Sequence, residues 1–227
     1  VISSIMGLYP PEFVNQMKDR NIKWFATITT VNEAIQAQKA GADAIVVQGI
    51  EAGGHRGSFI AENAQEHSIG LFSLLPAVAD AVDIPIIAAG GIADGRGMAA
   101  ALLLGASAVQ VGTGFLRSPE AKIPKVWAEA MNNSLPEDTV TTRAFSGRLG
   151  RSLRTKYAVA ANSKEAPSPA PYPIQRHLTQ EMRNNAVKSE SLDGMQAWAG
   201  QSAKLALDIS AFEIVNKIWS DTRAILE

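Results

Sequence analysis

Five short apolar runs alternate with segments of helical composition over the first half of the chain, and this alternation restricts the possible folds. The runs are apolar throughout, which is typical of strands covered on both faces, as in parallel sheets. The predicted strands are Val1–Ile5, Trp24–Ile28, Ala44–Val47, Ile84–Ala89 and Ala108–Val111. The predicted helices between them are Pro11–Arg20, Val31–Ala40, Leu71–Val82 and Gly97–Leu104. Glu33 follows Thr30 at capping-box spacing, and Gly41 and Gly105 lie just past two of these helices, where a left-handed residue is expected. Repeated βα units of this kind build either a doubly wound sheet or a (β/α)8 barrel.

The composition excludes several classes of protein. The formal net charge of -1 gives no basic excess for a nucleic-acid partner. The absence of cysteine excludes disulfides, thiolate metal sites and a cysteine nucleophile. No apolar run approaches the length of a membrane span, and the first residues lack the basic start of a signal peptide. We therefore expect a cytoplasmic protein with no membrane partner; whether it forms a homo-oligomer is left open.

A glycine-rich loop, Val46–Gly57, follows the third predicted strand. Its four glycines let the backbone approach a planar ligand closely. His55 lies among them, and histidine can exchange a proton near neutral pH. A lone histidine is more often structural, but its position in a glycine-rich loop after a strand favours a catalytic role. In a barrel, such loops build the active site.

Two further glycine turns end the last two predicted strands. Gly90-Gly91 precedes a helix, and Gly112-Thr113-Gly114 ends the run that begins at Gly105. Backbone N–H groups next to a helix N-terminus bind anions. Glycine turns after consecutive strands match the phosphate site that follows strands 7 and 8 of many barrels. If the last two predicted strands are strands 7 and 8 of a barrel, the first predicted strand is strand 4.

The predicted fold is therefore α/β, of the (β/α)8 TIM-barrel type, present as a partial barrel of about the last five βα units. An intact barrel has eight strands and about 250 residues. We predict a partial-barrel domain over 1–118 and a helical region packed on it over 119–227. Helices are predicted at Ile123–Ser134, Pro173–Lys188, Gly194–Lys204 and Ala211–Leu226. The basic stretch Arg143–Lys156 is expected to be a solvated loop or a lid over an anionic substrate.

Other site types lack their motifs. No GxGxxG opens a βαβ unit, and no GxxxxGK[ST] is present, which disfavours a Rossmann site and a P-loop. No cluster of histidines or carboxylates indicates a metal site, so we predict none.

Three stretches together resemble the nitronate monooxygenases, formerly called 2-nitropropane dioxygenases. They are GIEAGGHRG, IIAAGGIADGRG and AVQVGTGF. The resemblance continues more weakly through FSGRLGRSLRTKYA, PYPIQRHLT and MQAWAGQ. These enzymes are FMN-dependent barrels, so the resemblance implies FMN as cofactor. It also implies oxidation of alkyl nitronates, of the propionate 3-nitronate type, with dioxygen to a carbonyl compound and nitrite.

The resemblance implies roles for particular residues. His55 corresponds to the catalytic base, which removes the α-proton of a nitroalkane or binds the nitronate. The predicted cofactor-binding residues are Gln48, Gly53, Gly54, Gly90, Gly91, Gln110, Val111, Gly112 and Thr113. One departure concerns Ile5, because the family often reads SFHFG where this chain has SSIMG. A second active-site histidine is thereby absent, and we expect the chain to lack the first segments of the barrel, those before Val1.

Three alternatives remain open at this point. An FMN- and NADH-dependent enoyl-acyl carrier protein reductase has a similar glycine–histidine loop and similar phosphate turns. A barrel that lacks three strands would leave two open sheet edges, so the chain could be an inactive truncated fragment or could pair with another chain. A phosphate-binding barrel without flavin is the third alternative.

Overall fold

The computed structural model of the protein describes residues 1–227 and contains eight strands and nine α-helices. The strands are β1 (Ile2–Ser4), β2 (Trp24–Ile28), β3 (Ala44–Gln48), β4 (Gly54–His55), β5 (Ile86–Ala89), β6 (Ala108–Gln110), β7 (Thr139–Thr142) and β8 (Gly150–Leu153). The helices are α1 (Pro11–Asp19), α2 (Val31–Ala40), α3 (Leu71–Ala79), α4 (Gly95–Leu103), α5 (Lys125–Asn133), α6 (Lys156–Ala161), α7 (Ile174–Leu178), α8 (Gln180–Lys188) and α9 (Ala211–Leu226). None of these helices combines the length and the hydropathy that a membrane span requires.

The larger sheet has five parallel strands in the order β1-β2-β3-β5-β6. The predicted α/β fold with a parallel sheet is confirmed, and each predicted strand agrees with the structure to within two residues. A doubly wound sheet reverses its strand order at a switch point. These strands instead follow one another in chain order, which excludes the doubly wound alternative.

The chain forms two compact units, and the first comprises Val1–Ile50, Arg56–Val111 and Asp221–Glu227. Its apolar core joins one face of the parallel sheet to helices α1–α4. The sheet contributes Trp24, Ala26, Ile28, Ile45, Val47, Ile86 and Ala88, and the helices contribute Val14, Met17, Ala34, Ala37, Leu74, Leu75, Val78 and Ala101. Because side chains alternate along a strand, Val46, Gln48 and Ala89 belong to the opposite face of the sheet.

Local signals in the sequence explain the ends of the helices. The Thr30 hydroxyl accepts the N–H of Glu33 at the start of α2, at 3.2 Å, as the capping-box spacing predicts. The Glu33 carboxylate does not bind the cap residue Thr30. It accepts from the N–H and the hydroxyl of Thr29, the residue before the cap. Gly41 and Gly105 have φ angles of 95° and 103°, the left-handed conformation expected just past a helix.

The second compact unit comprises Glu51–His55 and Gly112–Ser220. Its core contains Met131, Leu153, Ala186, Met195, Ala197, Ala199, Ala203 and Ala206. Strands β4, β8 and β7 form a three-stranded antiparallel sheet in that order. The boundary predicted at residue 118 stays a prediction.

Two predictions for the second half of the chain are wrong. The basic stretch expected to be a solvated loop contains β8, and all of β8 is buried. Arg151 of β8 donates to the Thr139 hydroxyl at 2.8 Å, so this arginine side chain packs within the sheet. The helix predicted over Gly194–Lys204 is absent, and only its two ends overlap 3-10 turns, at Leu192–Gly194 and Ala203–Leu205. Its small apolar residues imitate a helical pattern, but Trp198 bridges to Ser152 of β8 instead.

Candidate active site

The carboxyl ends of three adjacent strands in the first unit bring together five of the predicted cofactor residues. Gln48 of β3 is in register with Ala89 of β5, and Ala89 is in register with Gln110 of β6. Gly90 and Gly91 directly follow β5, and Val111 directly follows β6. Parallel strands place their carboxyl ends at one edge of the sheet, so these residues lie along a single edge.

The turn after β5 differs in one respect from the predicted anion site. Gly90 and Gly91 adopt φ angles of 105° and 71°, a conformation that glycine permits and that turns the chain toward α4. The N-terminus of α4, however, is capped by Asp94, whose carboxylate accepts the N–H of Gly97 at 3.1 Å. Burial alone would raise the pKa of Asp94, but bonds from Arg96 and Gly97 outweigh it and lower that pKa. An anion at this turn therefore depends on the glycine backbone rather than on the helix end.

The remaining predicted residues lie in the second unit. A Cβ atom on Gly53 would lie 2.5 Å from the backbone nitrogen of Gly200, so only glycine fits there. The Gly200 N–H donates to the Thr113 hydroxyl at 2.9 Å. Gly53 and Thr113 thus both contact the backbone of Gly200. At Gly54 and Gly112 the position of a Cβ atom has no atom within 4 Å, so these glycines leave open space.

His55 is held in place by strand pairing and by a serine. It pairs with Gly150 of β8 in the small antiparallel sheet. Its Nε2 atom lies 2.6 Å from the Ser146 hydroxyl. The ring also contacts two aromatic side chains, with centroid distances of 5.2 Å to Trp198 and 6.2 Å to Tyr172. These contacts fix the plane of the imidazole.

The surroundings of His55 keep its imidazole neutral. Burial, together with the positive charges of Arg148 and Arg176, lowers the pKa of His55 to about 4. A neutral imidazole can accept a proton or donate one hydrogen bond at neutral pH. The two arginines make this part of the second unit favourable for an anion.

The sequence did not assign roles to Ser146, Tyr172, Trp198 or Arg176. Each lies in a stretch that resembles the family, namely FSGRLGRSLRTKYA, PYPIQRHLT or MQAWAGQ. These stretches are far from His55 along the chain, so only the fold shows that they surround it. Gly147 explains part of the arrangement, because a Cβ atom there would overlap the Ala170 carbonyl oxygen. The turn after Ser146 therefore packs tightly against the segment that leads to Tyr172.

The depressed pKa of His55 predicts a change of stability with pH. Between pH 6.5, the ordinary value, and about pH 4, the unfolded chain binds a proton at this residue and the folded chain does not. The free energy of unfolding should therefore fall as the pH drops through this window. His55→Asn removes that contribution, so thermal melts of this variant should show a weaker pH dependence than the wild type. His67→Asn, at an exposed histidine, is the matched control and should follow the wild type; parallel curves for His55→Asn and the wild type would contradict the assignment.

Comparison with known proteins supports one family. A family model described as nitronate monooxygenase matches residues 1–221. A probable nitronate monooxygenase of Staphylococcus aureus (strain MSSA476) is 42% identical over 221 residues, which are 97% of this chain and 62% of that protein. The chain thus spans less than two thirds of the length of this curated relative.

Two solved structures are also similar. Nitroalkane oxidase from Streptomyces ansochromogenes superimposes with a TM-score of 0.91 at 37% identity, covering 98% of this chain and 64% of that one. FabK from Thermotoga maritima superimposes with a TM-score of 0.79 at 32% identity, covering 97% of this chain and 67% of that one. With a family match over residues 1–221 and a relative at 42% identity, this chain belongs to the nitronate monooxygenase family.

Proposed function

We propose that the protein oxidises alkyl nitronates with dioxygen, in an FMN-dependent reaction that yields a carbonyl compound and nitrite. The observation that carries this proposal is the neutral imidazole of His55, bound to Ser146 and flanked by the charges of Arg148 and Arg176. Such a site suits an organic anion. The small-molecule partners are the nitronate and dioxygen.

We also propose that the five βα units are part of a (β/α)8 barrel. Two observations support this. The parallel strands follow chain order, and helices α1–α4 share one core on one face of the sheet. In a barrel the opposite face points inward and the carboxyl ends of the strands carry the ligand.

The residues at those carboxyl ends are compatible with FMN. In the first unit, Gln48 would face the ring, and Gly90, Gly91, Gln110 and Val111 would hold the phosphate, since the left-handed Gly90 and Gly91 expose backbone N–H groups. In the second unit, Gly53 and Gly54 would face the ring and Gly112 and Thr113 would bind the phosphate; the open space at Gly54 leaves room for a planar group. Bound FMN would supply the redox chemistry that no side chain can perform.

The role of His55 follows from its pKa. A general base is most effective when its pKa lies near the working pH. With a pKa of about 4, His55 is a weak base for a carbon acid, but its neutral ring can hydrogen-bond a nitronate whose proton has already left. We therefore propose the nitronate anion, rather than the neutral nitroalkane, as the better substrate.

The main experiment measures oxygen uptake by the FMN-loaded chain with propionate 3-nitronate. We expect uptake accompanied by nitrite release, and no NADH consumption with a crotonyl thioester. The opposite pattern would support an enoyl-acyl carrier protein reductase, the alternative that the similarity to FabK favours. A colourless protein whose melting temperature does not change with added FMN would indicate an inactive fragment or a barrel without flavin.

Substitution of His55 tests its proposed role. His55→Asn should lower the turnover of a neutral nitroalkane by roughly 10²-fold, the low end of the usual contribution of general-base assistance, because a pKa of about 4 makes His55 a weak base. Turnover of the corresponding preformed nitronate should fall much less, because no carbon-bound proton is removed. Oxygen uptake with both substrates at one pH gives this ratio, and flavin absorbance shows whether FMN remains bound. Equal losses with both substrates would contradict the role in proton removal.

Charge reversal at Arg148 tests the binding of the anion. Arg148→Glu should raise the KM for a nitronate by roughly 30-fold, because it replaces an attraction of about 1 kcal/mol with a repulsion of similar size. The KM for a neutral nitroalkane should change less, and the pKa of His55 should rise. Arg154→Glu is the matched control, since Arg154 lies in the same basic stretch but is exposed. An unchanged KM for the nitronate in Arg148→Glu would remove this arginine from substrate binding.

A further inference from the structure

The guanidinium of Arg56 is buried and binds the end of β3. The residue is only 1% exposed. Its Nη1 atom donates to the carbonyl oxygens of Gln48 at 3.1 Å and Gly49 at 2.6 Å. The same atom donates to the Gln48 side-chain oxygen, Oε1, at 3.2 Å. A single guanidinium nitrogen thus holds both the backbone and the side chain of Gln48.

Gly57 adds a second donor to the same side-chain oxygen. Its backbone N–H donates to Gln48 Oε1 at 2.8 Å. Only the oxygen end of an amide accepts hydrogen bonds, so these two donors determine which way the Gln48 amide faces. The oxygen is directed at Arg56 and Gly57, and the other end of the amide, Nε2, can act only as a donor.

The segment that carries Arg56 is itself anchored to neighbouring strand ends. The Gly57 carbonyl accepts the N–H of Met6, just past β1, at 3.2 Å. The N–H of Phe59 donates to the buried carboxylate of Glu33 at 2.7 Å. Glu33 also accepts from Thr29, which follows β2. These bonds fix the backbone around Arg56, so the guanidinium has little freedom to release Gln48.

Burial of a guanidinium is costly. A protein with a well-packed apolar residue at such a site is often as stable or more stable. A contribution to stability alone therefore does not account for an arginine here. Three acceptors of Arg56 belong to Gln48 and Gly49. These two residues lie at the carboxyl end of β3.

We infer that Arg56 is a positioning residue, which orients the Gln48 amide so that Nε2 donates to an acceptor atom of the bound isoalloxazine ring. This inference rests on the proposed function, because it requires FMN at the carboxyl ends of the strands. Arg56 acts through Gln48 and does not itself touch the cofactor. The acceptor is a carbonyl oxygen or an unprotonated ring nitrogen.

The first experiment measures the Kd for FMN by quenching of flavin fluorescence, together with the visible spectrum of the bound flavin. Arg56→Met should raise the Kd about tenfold, the equivalent of one lost hydrogen bond, and should shift the flavin absorption bands. Arg56→Lys should have a smaller effect, because one ammonium group can still donate to Oε1. Arg20→Met, at an exposed arginine of the same unit, is the matched control and should leave both readouts unchanged. Thermal melts without FMN show that each variant is folded.

The second experiment separates orientation of the amide from stability of the fold. Gln48→Glu retains an oxygen that accepts from Gly57 and Arg56, so the flavin-free variant should melt no lower than the wild type. It replaces the Nε2 donor with an acceptor, so FMN should bind about tenfold more weakly. In a Gln48→Met background, Arg56→Met should cause no further loss of affinity for FMN. The effects of substitutions at residues in contact are not additive.

The outcomes distinguish this inference from the proposed function. An unchanged Kd and spectrum in Arg56→Met, additive losses in the double variant, or full FMN affinity in Gln48→Glu would each overturn the inference. If the Kd and the spectrum change as expected but the chain does not oxidise nitronates, the inference is supported and the proposed reaction is overturned. Failure of the unsubstituted chain to bind FMN would overturn both.

Discussion

Parallel pairing of β3, β5 and β6 is the constraint on which the first unit depends. It sets Gln48, Ala89 and Gln110 in register, so the loops that follow these strands begin at one edge of the sheet. Loops at the carboxyl ends of parallel strands are free to vary, because the strands and their helices supply the core. The glycine turn after β5 and the buried Arg56 contacts at β3 are placed by this pairing.

The second unit supplies a different kind of environment. Antiparallel pairing of His55 with Gly150 holds a histidine beside Ser146 and two aromatic rings. Burial and two arginines lower its pKa to about 4, so the same surroundings that weaken it as a base favour an anion. The proposed preference for nitronates over nitroalkanes therefore rests on electrostatics rather than on the identity of one residue.

Prediction from sequence succeeded where the signal is local. The apolar runs of β1, β2, β3, β5 and β6, the cap at Thr30 and the left-handed Gly41 and Gly105 each follow from neighbouring residues, and the structure confirms them. It failed at β8 and at Gly194–Lys204. In β8, Gly150-Arg151-Ser152 looks polar, yet antiparallel pairing on both sides buries it. In the second segment, small apolar residues fit a helix equally well, and contact with β8 decided the outcome.

The sequence by itself determined the βα repeat, the family and the glycine-rich loop that contains His55, because these depend on short-range patterns and on ordered motifs. Only the tertiary structure decided which distant residues surround that histidine. Ser146, Tyr172 and Trp198 approach it through strand pairing and close backbone packing over long separations along the chain. Only the tertiary structure, likewise, turned Arg56 inward onto Gln48, since burial and hydrogen-bond direction are properties of the folded chain and not of a motif.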